Sequence, residues 1–350
     1  MIIENIDIYS LIPSQINEMI DKLKSALNLI KCRKSTISKI ASFEKNKCEC
    51  PYCTDNCIVK NGHTKTGIQT YKCKNCGKRF NDLTETVFSG THLTYEQIEI
   101  FIDCFNNKLS LRKTAAKMNV DKNTVYLLRL KVLDSLKIIR KNTELSGEVE
   151  ADELYKSINL KGTKTENMPR ASKPRQSKGT TIRGLNNHKI CILSALDEND
   201  HMFLEIAGNG VVTSNMVKNS LTPKMKKVTK LITDCKSSYE CEAKANKWNL
   251  KQVKSNGHVD DEGNNLANIN SLHSGLTTFL SPFRGVSTKH LQGYLDWYIF
   301  YKYLQYSFDD NKQEQIILNK LIIEHTEITS NNMYDNQSGI NFKEVYSDYN

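Results

Sequence analysis

The chain has 350 residues, of which 39% are hydrophobic, and 49 Lys+Arg stand against 39 Asp+Glu, a formal charge of +10. That length allows two or three domains and a core of real size. With no apolar run of the roughly 18 residues that span a bilayer, and no basic, apolar leader in Met1-Ile2-Ile3-Glu4-Asn5-Ile6-Asp7, a membrane protein, a secreted disulfide scaffold and an acidic disordered chain are excluded.

The expected location is therefore the cytoplasm, in association with the nucleoid. In that reducing setting the close pairs among eleven cysteines point to metal rather than disulfides. The charge is uneven. Up to Gly147 there are 24 basic against 15 acidic residues (+9), over 148–308 there are 22 against 16 (+6), and from Asp309 onward 3 against 8 (−5). A solvated surface accounts for some of this. Lys and Arg gathered over the first two thirds also suit a polyanion, because they displace the counterions condensed on nucleic acid.

In chain order, Ile16, Ile20, Leu23, Leu27 and Ile30 recur at helical spacing behind Ser14, predicting a helix within 14–42 in an N-terminal helical region, 1–47. Then come Cys50-Pro51-Tyr52-Cys53 and, after nineteen intervening residues, Cys73-Lys74-Asn75-Cys76. Two such knuckles let four thiolates reach one tetrahedral ion, so region 48–82 reads as a zinc ribbon with one structural Zn²⁺. Gly62, Gly67 and Gly77 allow its turns. Cys48 and Cys57 lie close by and leave the ligand choice open, while Cys32, Cys104, Cys191, Cys235 and Cys241 read as buried free thiols.

Region 90–141 reads as a helix-turn-helix. A helix over 93–106 is followed by 111–118 behind Ser110, a turn at Asn119-Val120, and 122–136 behind Asp121. Ala115 and Ala116 permit close approach, and Val125, Leu128 and Val132 face inward. Lys122, Asn123, Thr124 and Tyr126 then point toward a DNA groove, as against the plainer reading of a helical hairpin.

After Gly147 the texture turns to strands, in the order β-β-β-α-β-α-β-α. The strands are 148–155, 189–196, 201–206, 228–234 and 250–253; the helices are 214–221, stopped by Pro223, then 239–248 and 268–280. On the first strand Val149 and Ala151 take one side and the acids the other. Asp152 on that strand and Asp234 at the end of the fourth are acids that repel unless cations sit between them. That is the arrangement two Mg²⁺ (or Mn²⁺) ions require for phosphoryl transfer. Between the first two strands, 156–187 is a flexible basic insertion in which Arg170, Lys173, Arg175 and Lys178 read as a DNA clamp.

Several segments together resemble the insertion-sequence transposases of the DDE group, in the branch with an N-terminal zinc ribbon and Asn in place of the final Glu. They are Val149-Glu150-Ala151-Asp152-Glu153-Leu154-Tyr155, Thr233-Asp234-Cys235-Lys236-Ser237-Ser238-Tyr239, Asn270-Ser271-Leu272-His273-Ser274 and Arg284-Gly285-Val286-Ser287-Thr288-Lys289-His290-Leu291. The resemblance runs from about Cys50 to Tyr301. It implies an RNase H-like α/β catalytic domain over 147–305 with a mixed five-stranded sheet flanked by helices, followed by an acidic tail, 306–350. It further implies that Asp152 and Asp234 bind two metal ions, assisted by Asn270, and that a homo-oligomer works on double-stranded element ends and target DNA. Where the family places a DNA-contacting Lys, seven residues after Asn270, this chain has Thr277, with Lys289 as a substitute. His273 reads either as a structural histidine or as a helper at the metal, Glu262 as another third ligand, and Glu150 and Glu153 as facing solvent or basic partners. The competing function is a DNA-binding regulator whose catalytic domain is a relic.

Overall fold

A computed structural model describes residues 49–81, 83–162, 189–254, 259–307, 326–333, 335 and 338–342. The helix expected within 14–42, Cys32, Cys48, and Arg170, Lys173, Arg175 and Lys178 of the basic insertion lie outside the described residues. The chain divides into two compact units, Met1–Leu136 with Tyr301–Met333, and Lys137–Phe300 with Tyr334–Asn350.

In the first unit, β1 (Ile58–His63), β2 (Gln69–Cys73) and β3 (Arg79–Asn81) form a small antiparallel sheet in that order. Its core is minimal: Cys50, Cys73 and Phe80 are buried, with Tyr71 stacked on Phe80 at 5.5 Å between centroids. So few apolar side chains bury little surface, and a fold this small ordinarily relies on a staple. Three helices follow, α1 (Tyr95–Asn106), α2 (Leu111–Met118) and α3 (Lys122–Ser135). Their starts are local chemistry. Thr94 and Gln97 form a capping box on α1, Ser110 caps α2, and Asp121 accepts from Asn123 N at 2.7 Å on α3. Asn119 ends α2 in the left-handed region, φ 52°, a conformation Asn tolerates better than most residues. Val125, Leu128 and Val132 are buried as expected from their spacing.

The second unit opens with the short helix α4 (Lys137–Asn142) and is built on a five-stranded mixed sheet. Its strands are β4 (Leu145–Ser157), β5 (Lys189–Asp197), β6 (Met202–Asn209), β7 (Met225–Asp234) and β8 (Asn249–Val253), in the order β6-β5-β4-β7-β8. β4, β5 and β6 run antiparallel in succession, whereas β7 is parallel to β4 and β8 to β7. This is the mixed sheet with flanking helices implied by the resemblance. Val149, Ala151, Cys191, Leu193, Ala195 and Leu231 pack on one face with Tyr239, which α5 (Ser237–Asn246) supplies. α6 (Ala267–Leu280) packs against β4 and β5, and α7 (Thr288–Ser307) lies beside it. Tyr298 donates to Leu272 O at 3.0 Å, and its hydroxyl comes so close to Gly275 that a Cβ there would sit 2.3 Å from it.

Some boundaries differ from expectation. The helix expected over 214–221 is present as Ser214–Met216 and Val217–Leu221, but Pro223 sits in one further tight turn, Thr222–Lys224, before β7, where Pro fits a first-turn position. α5 sits two residues early and ends where Lys247 turns left-handed at φ 58°, which frees Trp248 to pack on the core. Cys104 and Cys191 are buried, but Cys235 and Cys241 are exposed, because they fall on the turn after β7 and the outer side of α5.

α7 is tied to the sheet by a buried polar cluster. Gln292 accepts from Ile206 N and donates to Leu204 O, so its amide satisfies the open edge of β6. Arg140 binds both Asp296 (3.0 Å) and Glu205. Burial pushes the Asp296 carboxyl up to about 6 in spite of Arg140 and Gln292. A raised acid pKa means that the ionised form is disfavoured by folding, so stability falls as pH rises from about 4 through 6. Asp296→Asn should abolish that fall, gaining on the wild type by about 2 kcal/mol between pH 4 and 7, as read by urea unfolding at each pH.

Candidate functional site

The positions of the two aspartates follow from register. Glu150 on β4 pairs with Ile232 on β7 in parallel. Two residues further along each strand, Asp152 and Asp234 therefore fall level, on one face, on adjacent strands about 4.8 Å apart. Asp234 is the last residue of β7, where the chain leaves the sheet.

Together with Glu153 they form one acidic group: an oxygen from each of Asp152, Glu153 and Asp234 lies within 4.8 Å of the others. Strand alternation puts Glu153 on the same side as Val149 and Ala151, so of its two expected surroundings it has a basic partner, Lys236, and not solvent. Lys236, in the turn after β7, holds the group together. Its ammonium binds Glu153, stands 2.7 Å from Asp234 Oδ2 and lies 3.8 Å from Asp152 Oδ1. Burial pushes the Glu153 carboxyl up, against the pull of Lys236. Burial alone would depress Lys236, but its bonds to Asp234 and Glu153 raise it above the ordinary lysine value. Two buried oxygens, Glu153 Oε1 and Asp234 Oδ1, have no hydrogen-bond partner. Unpaired acceptors of this kind suit a divalent cation, and hard oxygen donors suit Mg²⁺ or Mn²⁺.

α6 is docked over this group by Glu150, whose carboxylate accepts from Asn268 Nδ2 at 2.7 Å and from Ile269 N at 2.9 Å. An acid at a helix N-terminus is favourable, so Glu150 is a cap rather than a solvent-facing acid. His273 then reaches the sheet: its Nε2 is 2.5 Å from Ser194 Oγ and its Nδ1 is 3.8 Å from Asp152 Oδ2. Burial holds its imidazole below the usual value although Asp152 opposes this. Asn270 is exposed, one turn earlier on the same helix face, and Thr277 is exposed, its hydroxyl donating to His273 O. Glu262 is engaged elsewhere, 2.6 Å from Lys251 Nζ, so it does not stand in for Asn270. Lys289 is buried in the first turn of α7, which takes it away from the exposed position that a DNA contact would use.

In the first unit the sulfurs of Cys50, Cys53, Cys73 and Cys76 all lie within 4.8 Å of one another, with Cys50–Cys76 and Cys53–Cys73 at 3.6 Å. Sulfurs around a tetrahedral zinc with bonds of about 2.3 Å stand about 3.8 Å apart. Burial opposes ionisation of Cys50, yet the N–H groups of Tyr52 and Cys53 bring its thiol down to about 7, while Cys53 is pushed up to about 12 among its neighbours. Four thiols cannot all ionise side by side without a cation. Cys57 is exposed and stands outside this set. At the start of α3, Lys122, Asn123 and Thr124 are exposed and Tyr126 is half-buried.

No family model matches this chain. It is 26% identical over 264 residues to an uncharacterized protein in transposable element ISH50 of Halobacterium salinarum, covering 72% of this chain and 84% of that protein. Two solved structures show a slight likeness. A pre-cleavage Mos1 transpososome covers 65% of this chain and 76% of its own at 13% identity and TM-score 0.25; a Mos1 strand transfer complex covers 65% and 75% at 15% and 0.24. Likeness at that level fixes neither fold nor site. Among the described residues no helix is long and apolar enough to cross a membrane.

Sequence reasoning identified both aspartates from strand ends, but not Lys236 or the buried Glu153. The alternation of β4 already placed Glu153 with the core, whereas Lys236 sits in a turn with no periodic signal. Lys236→Met should lower stability without added Mg²⁺ or Mn²⁺ by about 2 kcal/mol, because it leaves buried acids unpaired. Added Mn²⁺ should then raise its melting temperature more than that of the wild type; a midpoint indifferent to Mn²⁺ would count against the acidic group as a cation site.

Proposed function

We propose that the chain is a DNA transposase, which binds the ends of its element, cuts there and joins the freed 3′-hydroxyl to target DNA. The observation that carries this reading is the convergence of Asp152 and Asp234 at one level of adjacent parallel strands, beside buried oxygens without partners. The 26%-identical relative, described as belonging to a transposable element, supports it.

Asp152 and Asp234 would hold divalent metal, with Asn270 one turn from His273 on the covering helix. Metal bound there supplies Lewis acidity to the reacting phosphodiester. In the first step a water oxygen bonds to phosphorus and the bond to the 3′-oxygen breaks, leaving a 3′-hydroxyl. In the second, that hydroxyl attacks a target phosphodiester, so one P–O bond forms for each that breaks. Lys236, partly exposed, would present its charge to the scissile phosphate.

DNA recognition falls to the zinc ribbon and the helix-turn-helix. Lys122, Asn123, Thr124 and Tyr126 meet the groove, aided by the basic insertion with Arg170, Lys173, Arg175 and Lys178, and a homo-oligomer brings two ends together. Zinc held by Cys50, Cys53, Cys73 and Cys76 staples the small sheet. Because Thr277 stands where the resembled family has Lys, a second reading is a DNA-binding protein whose catalytic domain is a relic.

Incubating the protein with duplexes of its element's ends and Mn²⁺ or Mg²⁺ separates the readings. Cleavage should occur and fall at least about 10³-fold in Asp152→Asn and in Asp234→Asn. Tight binding with no cleavage is the relic's signature, and cleavage that survives either substitution removes those acids from the mechanism. Elemental analysis should find one zinc per chain, retained in Cys57→Ser and lost in Cys76→Ser.

A further inference from the structure

Resting on that reading, we infer that His273 is itself a metal ligand: its Nδ1 joins Asp152 as the donor supplied by the covering helix, and it tilts the site toward Mn²⁺ over Mg²⁺.

The argument begins at Ser194, fully buried on β5 opposite Asp152. Its Oγ lies 2.7 Å from Asp152 O and 2.5 Å from His273 Nε2. A hydroxyl has one proton to give, and a backbone carbonyl can only accept. The Ser194 proton therefore goes to Asp152 O, and its lone pair faces His273 Nε2, which must donate. With the proton on Nε2, the Nδ1 of the neutral ring is a bare lone pair.

That lone pair looks toward Asp152 Oδ2 across 3.8 Å. The gap is too long for a hydrogen bond and sets two acceptors opposite each other. The His273 side chain is only 12% exposed, so water has little room to resolve the conflict. Two donors at about 2.1 Å from one ion can be separated by up to about 4.2 Å, so the gap is within the span of a single cation. The same acidic group has the buried, unpartnered Glu153 Oε1 and Asp234 Oδ1. Ser194 thus does for His273 what carboxylates and carbonyls do for metal-bound histidines elsewhere: it fixes the tautomer and the ring orientation.

An imidazole nitrogen also changes which ion is preferred. Mg²⁺ favours oxygen, whereas nitrogen donors suit the transition metals. The helix that carries Asn270 and no carboxylate at this level contributes a nitrogen instead of a charge.

The test uses the full chain with its zinc in place and Mn²⁺ alone as probe. Pulsed EPR should show directly bound imidazole ¹⁴N on Mn²⁺, replaced by ¹⁵N couplings when the protein is labelled with ¹⁵N-histidine. The coupling should vanish in His273→Gln, whose Mn²⁺ affinity should drop about 10- to 100-fold with a smaller loss for Mg²⁺. Ser194→Ala, a small change that tests the tautomer argument, should weaken Mn²⁺ about 10-fold. Mn²⁺ that binds in an Asp152-dependent way without histidine nitrogen, or with a coupling that persists in His273→Gln, overturns His273 as ligand and leaves the acid pair standing. No Asp152-dependent Mn²⁺ binding overturns both. If His273→Gln fails to fold, the labelled wild type and Ser194→Ala decide.

Discussion

The structure of the second unit turns on crowding of like charge at one end of its sheet. Asp152, Glu153 and Asp234 each bring an oxygen within 4.8 Å of the others. Two unit charges about 4 Å apart interact by about 4 kcal/mol at an effective dielectric of 20. Three ionised acids and the single ammonium of Lys236 leave a formal −2, so Lys236 relieves this crowding only in part. Burial does the rest by raising the Glu153 pKa, which shifts that acid toward its neutral form. Such an arrangement is costly to fold and inexpensive to fill with a cation.

The elements around it act as positioners. The parallel register of β4 and β7 makes the two aspartates level. Glu150, one alternation before Asp152, anchors the start of α6 and so sets how His273 descends onto Ser194. Tyr298 against Gly275, and Gln292 on the edge of β6, fix α7 beside α6 and the sheet. Each link is an ordinary hydrogen bond or close contact of modest net worth. Their combined effect is geometric: they decide which side chains meet at the acids.

What was legible in the sequence was whatever is encoded locally. The caps at Ser110 and Asp121, the helical spacing of Val125, Leu128 and Val132, and the two cysteine knuckles are short-range patterns, and the structure places each of them in the expected element. The sheet could be outlined because alternating acids and apolar residues mark strands. Contacts between distant segments were not legible. Ser194 meets His273 across 79 residues, and Arg140 meets Asp296 across 156. Only the folded register sets those pairs. Glu153 was legible in part: a basic partner was among its expected surroundings, but parity along β4 already assigned it to the core side and not to solvent. Lys289, the substitute DNA contact for the position of Thr277, is buried in the first turn of α7, and a motif does not say which face of a helix a residue occupies.

On the transposase reading proposed above, Asn270 would stand where a third carboxylate is expected, which is a loss only when the helix is counted alone. Glu153 brings a third carboxyl to the group from β4, so three carboxyl groups still lie together at the sheet. The helix brings neutral groups to this side of the sheet, with His273 Nδ1 3.8 Å from Asp152 and Asn270 one turn earlier. A further carboxylate on α6 would raise the repulsion that Lys236 already offsets only in part. In this chain the acids lie on the strands, where register holds them, and the helix sets a neutral imidazole beside them.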